Sequence, residues 1–363
     1  MTASSLEDEI RRTISLTGPM SVGQYMALCL THPLHGYYLA RDPFGARGDF
    51  TTAPEVSQMF GELLGLWAAA VWQQMGSPAK LRLIELGPGR GTLMRDALRA
   101  IQVAPDFRRA VELHLVEISP VLENMQRKIL ASAGVPVSWH RVLDDVPDDL
   151  PAIVLANEFI DALPVYQAVK QRDGWHQRVI GLGADGKLAF GLSPDPVVQF
   201  DRILPERLRG APEQSVYEWR NGAAAREIGR RASLGGAALV IDYGHMRSGL
   251  GETLQAIGNH AFADPLSSPG QIDLTAHVDF EAFGAAAAAS GARVHGPLEQ
   301  GEFLRRLGIE ARAAILKSSA NAKKAAGIDA ALARLTQRGE GGMGVLFKVM
   351  ALGAPALGAL PAF

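Results

Sequence analysis

A single cysteine stands in 363 residues, and one thiol excludes both an intrachain disulfide framework and a zinc site built on cysteines. Cys29 is expected to be a small core residue in a reducing compartment. An excess of charge is missing as well. The 36 basic residues face 38 acidic ones, so the chain as a whole lacks the basic footprint of a nucleic-acid binder, and no such partner is expected. No apolar run is long enough to span a bilayer, since even GAALVIDYGHM is broken at Asp242. The start, MTASSLEDEIRRTI, has neither the basic-then-apolar pattern of a secretory signal nor the acid-poor character of a transit peptide. By default, a cytoplasmic protein without a membrane span is expected. What is left, 47% hydrophobic and 20% charged residues, is an ordinary globular composition able to bury one large core with insertions or two cores.

Residues 5–30 read as two short helices joined at Gly18-Pro19, with Ser21 as N-cap of the second. A loop-rich segment follows, then a helical pattern from about Ser57 to Trp72, whose Trp67 and Trp72 are expected in the core. From Lys80 the pattern alternates between strand and helix: LRLIEL, VELHLVEIS, AIVLANE, AALVIDYG and VLFKVMAL are strands, and Ser119-Pro120 opens a helix. Such alternation specifies an α/β fold with a mostly parallel sheet covered on both faces. Between Val165 and about Arg209 the turn signals Asp173-Gly174 and Asp185-Gly186 indicate an inserted pair of hairpins, and a helix is expected from about Glu213 to Arg231. The tail GAPALGALPAF is expected to be loosely held. The divisions drawn are 1–79 (helical and lid region), 80–164 (first half of the core), 165–235 (insertion) and 236–363 (second half).

The stretch LRLIELGPGRGTLM carries the chemistry. Gly87, Gly89 and Gly91 give GxGxG, with Thr92 where a dinucleotide fingerprint needs its third glycine. Glu85 at the strand's end would repel a pyrophosphate but would accept hydrogen bonds from an ammonium group. A nicotinamide or flavin oxidoreductase is therefore disfavoured, and a cationic or zwitterionic ligand is indicated. S-adenosylmethionine meets these demands. Its amino group would face Glu85, its carboxylate would take free backbone donors at the loop and helix start, and Gly87, Pro88, Gly89, Gly91 and Thr92 are assigned to this part of the site. Glu117 would accept the ribose hydroxyls, with Ile118 and Ser119 beside it, and Asp144 or Asp145 in RVLDDVP would accept from the adenine amine. Thr52 and Asn157 are assigned to the same site.

Asn157, Glu158 and Asp161 in NEFIDALPV follow an apolar strand, where open α/β sheets place their chemistry. Asp161 also suits an N-cap. Other signals are weaker. His32 and His35 form HxxH without a third ligand, so no metal is expected; Asp273 and Thr275 read as residues preceding and capping a helix; and no GxSxG elbow is present.

Taken together, HPLHGYY, GDFTTAPEVSQMFGE, ELGPGRGTLM, VEISP, NEFIDALPV, DYGH, DPLSSPGQIDLTAHVDF, QGEFLRRLGI and MGVLFKVM resemble the MidA-like class I S-adenosylmethionine-dependent methyltransferases over nearly the whole chain. Ile160 stands where that family's pattern carries phenylalanine. The resemblance implies a Rossmann-like sheet of seven mostly parallel strands and a protein arginine as acceptor, on a complex I subunit for the mitochondrial assembly factor in that family. For such an acceptor, Glu158 and Asp161, with Glu55 third, are the carboxylates that would hold the guanidinium, and GDFTTAPEVSQ would close over the cofactor. A non-catalytic cofactor-binding assembly factor is the alternative, and either would be compatible with a homodimer.

Overall fold

A computed structural model describes residues 5–40, 51–258, 261–339 and 341–363. Two compact units interleave along the chain, one within 1–43, 161–221 and 247–279, the other within 44–160, 222–246 and 280–363.

The larger unit is the alternating one. Its strands β1 (Leu81–Leu86), β2 (Val111–Val116), β3 (Val137–His140), β4 (Ala152–Asn157), β5 (Ala237–His245), β6 (Arg293–Glu299) and β7 (Phe347–Gly353) run in the order β6-β7-β5-β4-β1-β2-β3. The first five are mutually parallel, and β7 is antiparallel to β5 and β6. Every residue of β1 and β4 is buried, as a parallel strand covered on both faces requires. The chain leaves β1 toward β2 on one side and returns at β4 on the other. That reversal leaves a crevice at the carboxyl ends of β1 and β4.

The helices of this unit follow from caps and periodicity. α1 (Ala53–Val56) is short; α2 (Gln58–Gln74) starts at Ser57, whose hydroxyl accepts the Met59 N–H; α3 (Thr92–Ala100) and α4 (Pro120–Ile129) each follow a strand. Trp67 and Leu64 of α2 and Met94 of α3 share one core with Leu83, Leu113, Leu155 and Leu239. The alternate residues Ile84, Val154, Val240 and Met350 are buried on the opposite face. There α5 (Ala223–Ser233) and α6 (Phe280–Ala288) pack, so the sheet is covered on both sides as expected.

In the smaller unit, Leu6–Thr17 and Val22–Thr31 are the two expected helices, each opened by a capping box, at Ser5/Asp8 and Ser21/Gln24. Cys29 is fully buried. The hairpin strands are Tyr166–Gln171, Gly174–Leu182 and Leu188–Leu192. His32 and His35 stack with ring centroids 5.3 Å apart, and His32 Nδ1 accepts the N–H groups of Leu34 and His35, a structural use.

Three expectations fail. Residues 213–231 are not one helix: Val216–Trp219 is a strand paired with Tyr166–Val169, and the helix starts only after Gly222 in the left-handed region. Cross-strand stacking of Trp219 on Tyr166, with ring centroids 5.7 Å apart, outweighs helical periodicity. Asp273 and Thr275 cap no helix; they lie in the strand Asp273–Thr275. The tail is not loose, because Leu357 and Leu360 are buried in the main core and the Trp67 indole donates to the Pro361 carbonyl at 3.0 Å. No helix among the described residues is long and apolar enough to cross a membrane.

Candidate functional site

The crevice at the ends of β1 and β4 is a cleft lined by Thr52, Pro54, Glu55, Glu85, Gly87, Pro88, Gly89, Arg90, Thr92, Leu93, Asn157 and Glu158. Nine of the residues singled out from sequence meet there. The loop can turn so tightly because Gly87, Gly89 and Gly91 all have positive φ, at 61°, 52° and 83°. Gly91 is also the N-cap of α3, and a Cβ there would lie 2.9 Å from Ile129 Cγ2. Gly91→Ala is therefore expected to destabilise the fold by about 1–3 kcal/mol, read from the denaturation midpoint. An unchanged midpoint would show that the loop tolerates a side chain.

Glu85 is almost fully buried, and its Oε2 has no hydrogen-bond partner among the described residues. Burial, with the negative charge of Glu117 adding to it, pushes this carboxyl up to about 8. Asn157 at the end of β4 is 9% exposed; its amide nitrogen donates to Glu158 Oε1 at 3.1 Å, and its Oδ1 has no partner among the described residues. Both lining residues thus carry a buried acceptor without a donor, at a position where burying an unpaired acceptor is costly.

Glu158 has φ +50°, a conformation rare for a side-chain-bearing residue and common at functional turns. Asp242, fully buried on β5, maintains this turn: its Oδ2 accepts the N–H groups of Phe159 and Ile160 at 3.2 and 2.9 Å. The Glu158 carboxylate accepts the Ala53 N–H at 2.9 Å. It thereby serves one orphan donor at the start of α1, where Thr52 occupies the N-cap position without a side-chain bond. Thr92 Oγ1 donates to Glu55 Oε1 at 2.5 Å, tying α1 to α3. Of GDFTTAPEVSQ, residues 48–50 lie outside the described residues.

Glu117 follows β2 directly and is 7% exposed. One carboxylate oxygen accepts the Ser119 N–H at 2.8 Å, the other the Gln126 amide at 3.0 Å. Burial raises Glu117 to about 7, against the lowering effect of those bonds, of the Ile118 N–H and of Arg141. Ser119 caps α4. Asp144 and Asp145, on a short 3-10 turn after β3, are exposed and do not line this cleft. Asp161 falls in the smaller unit, where its side chain is buried and its carbonyl accepts from Arg220 and the Ala276 N–H, both at 3.1 Å. It is not an N-cap. In that unit Tyr38 donates to the Asp273 carboxylate at 3.0 Å.

Sequence reasoning missed Arg90, Gln126 and Asp242 as site residues. Gln126 had a legible signal, a polar residue on the inward stripe that buried Leu122 and half-buried Ile129 share. Asp242 interrupts an otherwise apolar strand, which served only to exclude a membrane span.

The family described as S-adenosyl-L-methionine-dependent methyltransferase matches residues 63–298. A Drosophila melanogaster protein named "Protein arginine methyltransferase NDUFAF7 homolog, mitochondrial" is 38% identical over 96% of this chain and 84% of its own length. The Homo sapiens protein named "Protein arginine methyltransferase NDUFAF7, mitochondrial" is 37% identical over 85% and 74%. A crystal structure from Burkholderia thailandensis, bound to S-adenosyl-homocysteine, superposes with a TM-score of 0.84 at 30% identity, covering 99% of this chain and 94% of that one. These names overturn the expected cytoplasmic location, since both relatives are named mitochondrial; that expectation was a default drawn from an absent signal, which carries no positive information. With the family matched over most of the chain and the cleft built on its glycine loop, the protein belongs to the S-adenosyl-L-methionine-dependent methyltransferases.

Proposed function

We propose that this chain methylates an arginine side chain of a protein substrate, a respiratory complex I subunit being the target that the family resemblance implies, and that the cleft at β1 and β4 holds the cofactor. One observation carries the cofactor's placement: Glu85 Oε2 and Asn157 Oδ1 are buried acceptors without donors among the described residues, in the lining of a single cleft. They would hold the cofactor's ammonium group. Arg90 and the N–H groups of the glycine loop would meet its carboxylate, and Glu117 would accept the ribose hydroxyls. Asp144 or Asp145, both exposed after β3, would accept from the adenine amine.

Bound there, S-adenosylmethionine supplies an electrophilic methyl carbon on a sulfonium leaving group. The chain's own part is chiefly alignment. Glu158, on its strained turn at the cleft, would pair with the acceptor guanidinium and draw positive charge away from the nitrogen that attacks the methyl carbon, toward the two that do not. Asp161 and Glu55 are the further carboxylates assigned to the acceptor, Glu55 acting through its bond to Thr92 on the side of α1. The relatives named protein arginine methyltransferases support the choice of acceptor.

Labelled S-adenosylmethionine incubated with the protein and a cognate lysate tests the proposal. A labelled protein band whose label is recovered as methylarginine is expected; cofactor binding without any labelled acceptor would favour the scaffold alternative. Glu117→Ala is expected to weaken S-adenosyl-homocysteine binding by about 1–3 kcal/mol with the fold intact. Calorimetry giving the wild-type dissociation constant would remove Glu117 from the site.

A further inference from the structure

Gln126 is fully buried on α4, between the two pieces of chain assigned above to the cofactor. Its amide nitrogen donates to the Gly89 carbonyl at 2.7 Å and to Glu117 Oε2 at 3.0 Å, and its Oε1 accepts the Trp139 indole N–H at 3.0 Å. Both amide hydrogens are used. Because an indole N–H can only donate, Trp139 determines which end of the amide is oxygen and so directs both hydrogens at the loop and the carboxylate. Trp139 is itself covered by the Arg127 guanidinium, 3.9 Å from its ring centroid. A buried amide is costly unless its bonds are made, and here all three go to groups around one site.

We infer that Gln126 is a positioning residue for the cofactor: it clamps the glycine loop after β1 to the carboxylate after β2 at one separation, and its N–H favours the ionised form of Glu117. The inference rests on the reading of Glu117 as the ribose acceptor. Ionised Glu117 can accept from two hydroxyls, whereas the protonated acid must donate from one oxygen. Affinity is then complete when Glu117 is ionised and is lost as pH falls through its titration. Of the charged groups around it, Arg141 after β3 favours ionisation, while Glu85 on β1, raised to about 8, still holds its proton where Glu117, raised to about 7, titrates. Without the Gln126 N–H, Glu117 holds its proton to higher pH, so the acid loss of affinity moves upward.

The test is calorimetric binding of S-adenosyl-homocysteine to the full chain across about pH 5.5 to 9, a readout independent of turnover. Gln126→Met keeps the side chain's length and removes both donors. It is expected to weaken binding about tenfold near neutral pH and to shift the acid limb upward, in line with loss of one charge-assisted bond. Trp139→Phe leaves the amide in place without its orienting donor and is expected to move affinity in the same direction by a few-fold. Weaker binding with an unshifted acid limb in both variants would make Gln126 a packing residue and overturn the inference. Glu117→Gln separates the two claims. If Glu117→Gln binds as wild type, the assignment of Glu117 itself fails; if it weakens binding while Gln126→Met and Trp139→Phe do not, only the role of Gln126 fails.

Discussion

Glu158→Gln is expected to lower turnover on the order of 10²- to 10³-fold while leaving cofactor affinity close to wild type. The substitution preserves the oxygen that accepts the Ala53 N–H at 2.9 Å and the Asn157 amide at 3.1 Å. The turn is also held from beneath by Asp242, so its strained backbone survives the change. What disappears is the negative charge opposite an acceptor guanidinium, a contact made more strongly as charge redistributes in the transition state. Turnover on the methyl-accepting protein and calorimetry with S-adenosyl-homocysteine separate the effects. Equal losses in both would move Glu158 from the acceptor to the cofactor.

The second large effect concerns Glu85, where stability and binding oppose each other. In the folded chain Glu85 is raised from an ordinary 4.5 to about 8. The unfolded chain ionises it near the ordinary value, so folding holds the proton. The sign follows: the stability associated with this group is fully present below about 4.5 and is lost as pH rises through about 8. The difference corresponds to roughly 3–5 kcal/mol, and Glu117, raised to about 7, adds a loss of the same sign. The ligand-free protein is therefore expected to melt at progressively lower temperature from about pH 5 to 9. Glu85→Gln should flatten that decline, although part of the gain is offset by an amide that finds no partner. The same change should weaken cofactor binding roughly 10- to 100-fold through loss of a charge-assisted bond to the ammonium group. Parallel melting curves for wild type and variant would sink this account of Glu85.

The two variants probe residues that differed in legibility. Glu85 and Glu117 were readable as chemistry because each terminates or follows an apolar strand, and a parallel sheet delivers all such ends to one rim. Glu158 was readable by the same rule, but its service to α1 was not, since Ala53 lies over a hundred positions earlier and only folding makes them neighbours. Gln126 and Asp242 escaped because their roles consist of bonds to groups on other segments of the chain. Asp144 and Asp145 satisfied the same pattern, two acids after a strand, and the turn that carries them leaves them exposed and outside the lining of the glycine loop's cleft.

By itself, the sequence determined the alternating α/β core, the glycine loop, the capped helices and the carboxylates at the strand ends, because these depend on local periodicity, φ preference and short-range capping. Tertiary structure alone decided that Val216–Trp219 is a strand, that the tail is packed, and that Gln126, Asp242 and Arg90 belong around the site. Those outcomes turn on partners distant in the chain, whose contact energies exceed local propensity and whose identity no single stretch of residues specifies.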